Sequence, residues 1–244
     1  MKLNEIQFGD AYELIKEIPD KSIDCVYTDV PYLYKQGGYG NSDLGKRQQK
    51  KRLELKENNL EDGFDYSLLN ELVRVMKKVN IFIWCSKLQL FDIMEFFKEK
   101  SENFELMVWC KSNPSPTTNN TWLPDLEYCL YFREKGVRLN DGYELKSKWF
   151  NSPINKSDKD DYGHPTIKPI ELVKRHIAHA TNENDLVLDP FMGSGTTAVA
   201  CKELNRSFIG YEINEEYYKI ATDRLNGIKK NGQTSLLDTD FDLL

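Results

Sequence analysis

The sequence predicts a doubly wound α/β sheet, and three observations carry that expectation. Short apolar runs rich in Val, Ile, Phe and Tyr alternate with stretches whose apolar residues recur every three or four positions. The 244 residues suit one full-sized α/β domain, spanning 1–244, better than two independent ones. Hydrophobic residues at 40% and charged residues at 30% are ordinary for a globular chain, so a sizeable core is available.

Taken in order, strands are expected over residues 23–28, 79–85, 104–110, 127–132, 185–189 and 207–211. Leu68, Leu69, Leu72, Val75, Met76 and Val79 form one helical stripe, and Leu90, Ile93, Met94 and Phe97 form another. Both stripes read as faces packed on the sheet. Two stretches lack periodicity, 33–63 and 111–163, the second with Pro114, Pro116, Pro124 and Pro153. Irregular segments of that length are functional or disordered.

Composition excludes several classes. No apolar run approaches the roughly 20 residues of a membrane span. The opening MKLNEIQFGD lacks an apolar segment with a small-residue cleavage site, so a cytoplasmic address is expected. Cys25, Cys85, Cys110, Cys129 and Cys201 include no CxxC pair, and four sit in apolar strand-like runs, which suggests free buried thiols. His164, His176 and His179 are the only histidines, and the last two read as a partly buried helix face, so no metal site is expected. The net charge of −6 argues against a chain that coats nucleic acid indiscriminately. Residues 35–56 nonetheless carry a local net charge of +5, which suits either a solvated loop or contact with phosphates.

Two constellations carry chemistry. The strand ending at Asp189 runs through Pro190 and Phe191 into Gly193-Ser194-Gly195, and a helix opens at Thr196 and Thr197. Glycines there let backbone approach a ligand, and amides at a helix start receive an anionic group such as a carboxylate. Glu212 ends the next strand, 23 positions beyond Asp189, a spacing at which a carboxylate accepts hydrogen bonds from ribose hydroxyls. The loop alone could be a tight turn; loop and carboxylate together point to a nucleoside-containing cofactor. The second constellation is Asp29-Val30-Pro31-Tyr32, directly after a strand. An exocyclic base amine is a poor nucleophile until two acceptors draw its N–H groups and its nitrogen toward tetrahedral geometry. The Asp29 carboxylate and the Val30 carbonyl can be those acceptors, with Pro31 biasing Val30 toward an extended backbone and Tyr32 offering a stacking face. Taken alone, the four residues read more readily as a strand-ending turn.

With these residues in view, the chain resembles the DNA amino-methyltransferases in the permuted order called the beta class. That family reads Asp-Pro-Pro-Tyr where this chain has Asp29-Val30-Pro31-Tyr32, a departure at a position that contributes its carbonyl. Gly9-Asp10 with residues 18–24, then Trp109-Cys110-Lys111-Ser112-Asn113-Pro114 and Glu127, are similar to the family's N-terminal segment and to the strands that border its recognition region. His164-Pro165-Thr166-Ile167-Lys168-Pro169, residues 189–197 and Ile209-Gly210-Tyr211-Glu212 follow it in wording, order and spacing.

The resemblance implies a Rossmann-like, S-adenosylmethionine-dependent methyltransferase fold: a doubly wound, mostly parallel sheet with circularly permuted motif order and irregular DNA-recognition insertions. It implies Asp29, Val30, Pro31 and Tyr32 as the catalytic turn. For S-adenosylmethionine it implies Asp10 near the adenine, Thr166 and its neighbour Lys168 near the methionine, and Asp189, Pro190, Phe191, Gly193, Ser194, Gly195, Thr196, Thr197 and Glu212 around the rest. Double-stranded DNA is the implied partner, with a flipped base. Residues 33–63 become a mobile loop near the catalytic turn, and 111–163 a target-recognition region. Lys46, Arg47, Lys50, Lys51, Arg52 and Lys111 become the DNA contacts. Asp rather than Ser at residue 29 favours adenine N6 over cytosine N4. A homodimer and a separate restriction endonuclease are both compatible.

Motif order favours DNA, because RNA and protein methyltransferases with a related turn place it after the glycine loop. C5-cytosine chemistry needs a cysteine nucleophile beside a proline, and no Pro-Cys dipeptide occurs. Cytosine-N4 methylation, RNA or protein methylation, and a non-catalytic DNA- or cofactor-binding module, for which Val30 is the hint, stay open at this level.

Overall fold

The computed structural model describes residues 2–34, 43, 46, 49, 50, 53, 62–116 and 122–233. Among them one eight-stranded sheet runs β1-β8-β7-β2-β3-β5-β4-β6. The strands are β1 (Glu5–Phe8), β2 (Cys25–Asp29), β3 (Asn80–Cys85), β4 (Asn103–Lys111), β5 (Leu126–Arg133), β6 (Trp149–Ser152), β7 (Leu186–Asp189) and β8 (Ser207–Glu212). Every pairing is parallel except those of β5, which is antiparallel to β3 and β4. The helices are α1 (Ala11–Leu14), α2 (Leu68–Val75), α3 (Leu90–Phe97), α4 (Lys156–Tyr162), α5 (Ile170–Ala180), α6 (Thr196–Glu203) and α7 (Glu215–Leu225).

The sheet is covered on both faces, and β3 shows why. All six of its residues, Asn-Ile-Phe-Ile-Trp-Cys, are buried. Successive side chains of a strand point to opposite faces. Ile81 and Ile83 join Val26, Leu69, Leu72, Ile93 and Phe97 on one side, while Phe82 and Trp84 join Tyr27, Val173 and Ile177 on the other. The run Ile81 to Cys85, apolar at successive positions, is therefore what a two-sided core requires, and the buried Asn80 before it is satisfied by the Asp24 and Ala180 carbonyls. Each such side chain contributes roughly 1.5–3 kcal/mol on burial. His176 lies in this second layer, its ring stacked on Phe82 at 5.0 Å, and burial pushes its imidazole down to about 3. The expectation that His176 and His179 form a buried face holds. Cys25, Cys85, Cys129 and Cys201 are buried free thiols, as their apolar surroundings suggested. No helix among the described residues is long and apolar enough to cross a membrane.

All six expected strands form. Two further strands, β1 and β6, carry too few apolar residues to announce themselves and exist because they complete the sheet's edges against β8 and β4. The stretch 111–163, expected to be irregular apart from the strand at 127–132, also holds β6 and α4. The first helical stripe also stops early: α2 ends at Val75, and Met76 turns extended to form a bridge with Ile23, a tertiary pairing that overrides the local periodicity.

From its centre the chain leaves in two directions, β2 leading outward to β3 and β7 outward to β8. The pair β2 and β7 is thus a topological switch point, where open α/β sheets open a crevice beyond the strand ends. Asp29 ends one of these parallel strands and Asp189 the other, on the same edge of the sheet.

Candidate active site

The turn after β2 is held from three sides. The Val30 N–H donates to the Trp84 carbonyl at 3.1 Å, and the Val30 side chain is only 2% exposed, packed in the first core layer. The residue that departs from the family pattern therefore anchors its own carbonyl-bearing peptide by burial. Gln89, at the entry to α3, binds the rest: its Nε2 donates to the Pro31 carbonyl at 3.0 Å, and its Oε1 accepts from the Leu33 N–H at 3.2 Å and the Ser86 N–H at 3.0 Å. Sequence reading gave Gln89 no role. At 1% exposure its polar side chain has to satisfy backbone, but nothing local in the sequence announces that burial.

Four charged side chains converge on this turn. Lys168 Nζ lies 2.5 Å from Asp29 Oδ2 and 2.9 Å from Glu127 Oε2, and Lys111 Nζ lies 2.6 Å from Glu127 Oε1. The Tyr32 hydroxyl sits beside the same groups, 3.3 Å from Lys168 Nζ and 3.4 Å from Glu127 Oε2. The ammonium of Lys168 also faces the Trp84 ring, 5.0 Å from its centroid. Asp29 Oδ1 is buried without a hydrogen-bond partner among the described residues. Burial pushes the Asp29 carboxyl above its ordinary range, opposed by Lys168 and reinforced by Glu127. Burial also pushes Glu127 up, but Lys168 and Lys111 together overcome it and hold that carboxyl at about 2. Burial pushes Lys168 down, and its two carboxylates more than reverse this, so it stays protonated. Lys168 was expected at the cofactor and Lys111 at DNA; the ammonium of each is instead turned into this cluster. Lys111 ends β4 and Glu127 lies near the start of β5, and charged side chains drawn into the interior there require partners.

Across the switch point, the loop after β7 is shaped by its own backbone. Asp189 Oδ1 accepts the Phe191 N–H at 3.1 Å and Oδ2 accepts the Thr197 hydroxyl at 2.6 Å, so this carboxyl ties both ends of the loop. Burial pushes it up to about 7. Gly193 and Gly195 have φ of +52° and +77°, a region that favours glycine. At Gly195 a Cβ would lie 3.0 Å from the Ala221 Cα, so this glycine serves the close packing of α6 on α7 as well as the turn. Phe191 stands edge-on to Phe64, and Pro190 is buried at the strand end. Behind the loop, Arg224, 4% exposed, donates to Thr196 Oγ1 at 2.6 Å and to the Ser194 carbonyl at 3.2 Å, and pairs with Asp158 of α4 at 2.9 Å. Sequence reading assigned neither Arg224 nor Asp158.

Glu212 ends β8 beside this loop. Its Oε2 accepts the Gly193 N–H at 2.7 Å and its Oε1 the Asn214 N–H at 2.8 Å, and burial pushes it above its ordinary range. Each oxygen keeps a lone pair for a further donor. Asp10 follows β1, which pairs with β8, and caps α1 through the Tyr12 N–H at 2.9 Å. Thr166 is exposed, and its carbonyl is 3.0 Å from His164 Nδ1. His164 is buried and neutral, pushed by that burial down to about 4. Its Nε2 has no partner among the described residues and lies beside Gly193, where a Cβ would be 3.7 Å away. An unpartnered ring nitrogen, a loop with two glycines in positive-φ backbone and a two-oxygen acceptor at one strand edge form a donor and acceptor set that fits S-adenosylmethionine. Of the expected DNA contacts, Lys46 and Lys50 are exposed in helical backbone, while Arg47, Lys51 and Arg52 lie outside the described residues.

Residues 23–223 match the family model described as DNA methylase. The chain is 34% identical over 236 residues to the type II methyltransferase M2.LlaDCHI of Lactococcus lactis subsp. cremoris, covering 89% of this chain and 87% of that one. It is 31% identical over 237 residues to the type II methyltransferase M2.DpnII of Streptococcus pneumoniae, with the same coverage of 89% and 87%. Among solved structures, the M1.HpyAVI–SAM complex superposes with a TM-score of 0.65 at 29% identity, covering 91% of this chain and 98% of that one. Matched over most of its length and carrying the turn and the loop on adjacent strand ends, the chain belongs to the beta-class adenine-N6/cytosine-N4 family of S-adenosylmethionine-dependent DNA methyltransferases.

Proposed function

We propose that the chain methylates the exocyclic N6 amine of adenine in double-stranded DNA, within a target site read by residues 111–163. The observation that supports it most is Asp29, a carboxylate at the switch point with one oxygen held and the other unpartnered, directly across from the glycine loop. When bound, S-adenosylmethionine supplies an electrophilic methyl group on its sulfonium. The Gly193 to Thr197 backbone, His164 and Thr166 hold its methionine end, Glu212 its ribose and Asp10 its adenine side. The target base leaves the stack, at a cost of a few kcal/mol, and Tyr32 offsets part of that by stacking.

Asp29 accepts one N–H of the amine and the Val30 carbonyl accepts the other. The nitrogen lone pair is thereby drawn out of conjugation and aligned for in-line attack, so positioning and acceptor hydrogen bonds carry the rate enhancement. After attack the nitrogen is cationic, and Asp29 takes its proton and passes it to solvent. A carboxylate suits that role better than a hydroxyl for either amine, so the choice of adenine over cytosine rests on the resemblance, in which Asp at this position accompanies adenine N6 and Ser accompanies cytosine N4. The type II name borne by the relatives supports a restriction–modification setting.

The test is to incubate the protein with DNA and labelled cofactor, digest to nucleosides and separate them with mass detection. N6-methyldeoxyadenosine is expected. N4-methyldeoxycytidine as the sole product overturns the adenine assignment and leaves the acceptor mechanism standing.

A further inference from the structure

We propose that Lys168 is a positioning residue for methyl transfer: its ammonium fixes one oxygen of Asp29 and supplies that carboxylate's counter-charge, rather than binding the cofactor. This rests on Asp29 being the amine's acceptor. Lys168 is enclosed on every side that matters, with Asp29 at 2.5 Å, Glu127 at 2.9 Å and the Trp84 and Tyr32 rings at 5.0 and 5.5 Å from Nζ. Its side chain is 11% exposed. An ammonium so held cannot swing toward a ligand without leaving Asp29 with no cation in contact, whereas Glu127 keeps Lys111.

The charges of Asp29, Lys168, Glu127 and Lys111 sum to zero. Without Lys168 the partly buried cluster carries a net negative charge, and that charge favours uptake of a proton by Asp29. A protonated Asp29 presents a hydroxyl donor on one oxygen and loses acceptor strength, which ends its use to an amine that must donate. The groups facing Asp29 are Lys168 before α5, Glu127 and Cys129 on β5, Tyr32 on its own turn, Tyr27 on β2, Cys85 on β3 and Asp189 on β7, with Lys111 of β4 behind Glu127. Lys168 is the cation among those in direct contact. Glu127 fixes Lys168 from the far side, and Lys111 neutralises Glu127. Since Lys111 ends β4, the same ladder ties the acceptor to the base of residues 111–163.

The experiment compares Lys168→Met, Lys168→Arg, Glu127→Gln and Asp29→Ala. It reads kcat at saturating DNA and S-adenosylmethionine over about pH 5 to 9, together with cofactor affinity by calorimetry. Lys168→Met is expected to lower kcat at neutral pH by about 30-fold or more and to move the acidic limb upward by about one pH unit or more. Glu127→Gln removes a negative charge facing Asp29 and moves that limb the other way, downward. Lys168→Arg keeps the charge and stays within about tenfold of the parent, and the cofactor affinity of all three changes less than about threefold. A purely structural ion pair would move neither limb. An unmoved limb in Lys168→Met overturns the proposal, as does a cofactor affinity weakened about tenfold with kcat intact. Should Lys168→Met fail to fold, Glu127→Gln decides, and an unmoved or raised limb there overturns it. Asp29→Ala separates the two levels: an active variant sinks the reading of the turn itself, whereas an inactive one beside an unmoved Lys168→Met limb sinks only the role of Lys168.

Discussion

The cofactor edge and the catalytic turn end neighbouring strands yet are built on opposite principles. At the ends of β7 and β8 the carboxylates are satisfied by near neighbours in the chain: Asp189 by residues 191 and 197, Glu212 by 193 and 214. At the end of β2 the partner of Asp29 is Lys168, 139 residues away, and its own second partner is Glu127. The first region is a shape made by one stretch of backbone. The second is an electrostatic setting that exists only after β2, β4, β5 and the segment before α5 have come together. A shape and a setting should fail differently when perturbed.

The largest contrast is expected from Asp29→Ala. Removing the acceptor takes away an interaction that strengthens as the amine is drawn toward the transition state, so kcat should fall by about 10³-fold or more. The glycine loop and Glu212 are untouched, and S-adenosylmethionine affinity measured by calorimetry should stay within a few-fold. Transfer retained at about a tenth of the parent rate would break the distinction between the regions, because the turn would then not be where the rate is made.

Next in size is a stability effect confined to the loop. The Asp189 carboxyl is pushed by burial from its ordinary 3.8 to about 7. The folded chain therefore holds this proton more tightly than the unfolded chain. Its contribution to stability is full below about pH 4 and is lost as the pH rises through about 7. Asp189→Asn keeps an acceptor for the Phe191 N–H and a donor toward the Thr197 hydroxyl, and removes the charge. Relative to the parent, the cofactor-free variant should gain stability progressively between about pH 4 and pH 7, by up to a few kcal/mol. Thermal melts at several pH values check this, and parallel curves for the two proteins would show that the loop is not storing a buried charge.

The difference between the regions also explains what could be read from the sequence. The glycine loop and the turn are each one unbroken run, and Glu212 follows the loop at the end of the next strand, so spacing on a strand, turn and helix was enough to find them. β3 was legible because Ile81 to Cys85 is an unbroken apolar run, and β6 was not, because Trp149-Phe150-Asn151-Ser152 becomes a strand only through the edge that β4 offers. Gln89, Lys168 and Glu127 act on the turn from elements remote in the chain, and no spacing rule links 29 to 89, 127 and 168. Lys168 was visible as part of a motif, but its direction was not: the same words suit an ammonium facing the cofactor or facing Asp29, and tertiary packing chooses the second. Val30 was legible as a departure, and only its burial shows that the side chain has a job in the core.

Glu212→Ala probes the cofactor edge with a smaller effect. Loss of the carboxylate leaves the ribose hydroxyls without an acceptor and also frees the Gly193 and Asn214 N–H groups. S-adenosylmethionine binding should weaken by roughly 1–3 kcal/mol, read by calorimetry, while kcat at saturating cofactor changes only a few-fold. Unchanged affinity would mean that Glu212 is a loop strap and no more, which would make both carboxylates of the cofactor edge structural.

The smallest effect is expected at Tyr32, whose ring offers a stacking face while its hydroxyl borders the charged cluster. The hydroxyl touches the charged cluster at 3.3 Å from Lys168 and 3.4 Å from Glu127, both long for hydrogen bonds, while each of those groups has a closer partner. Tyr32→Phe removes these contacts and the hydroxyl's interaction with Asp29, which favours the charged carboxylate, together worth about 1 kcal/mol or less, so kcat should drop less than about fivefold and the acidic limb of its pH profile should move upward by less than in Lys168→Met. Tyr32→Ala removes the stacking face as well, about 1–3 kcal/mol for a base, and should cost more in kcat/KM for DNA than the phenylalanine variant does. A loss of about 100-fold in Tyr32→Phe would show that the hydroxyl is a working member of the cluster. The electrostatic setting around Asp29 would then extend through the ring to the base, and the catalytic turn would depend on charge at every residue that touches its substrate.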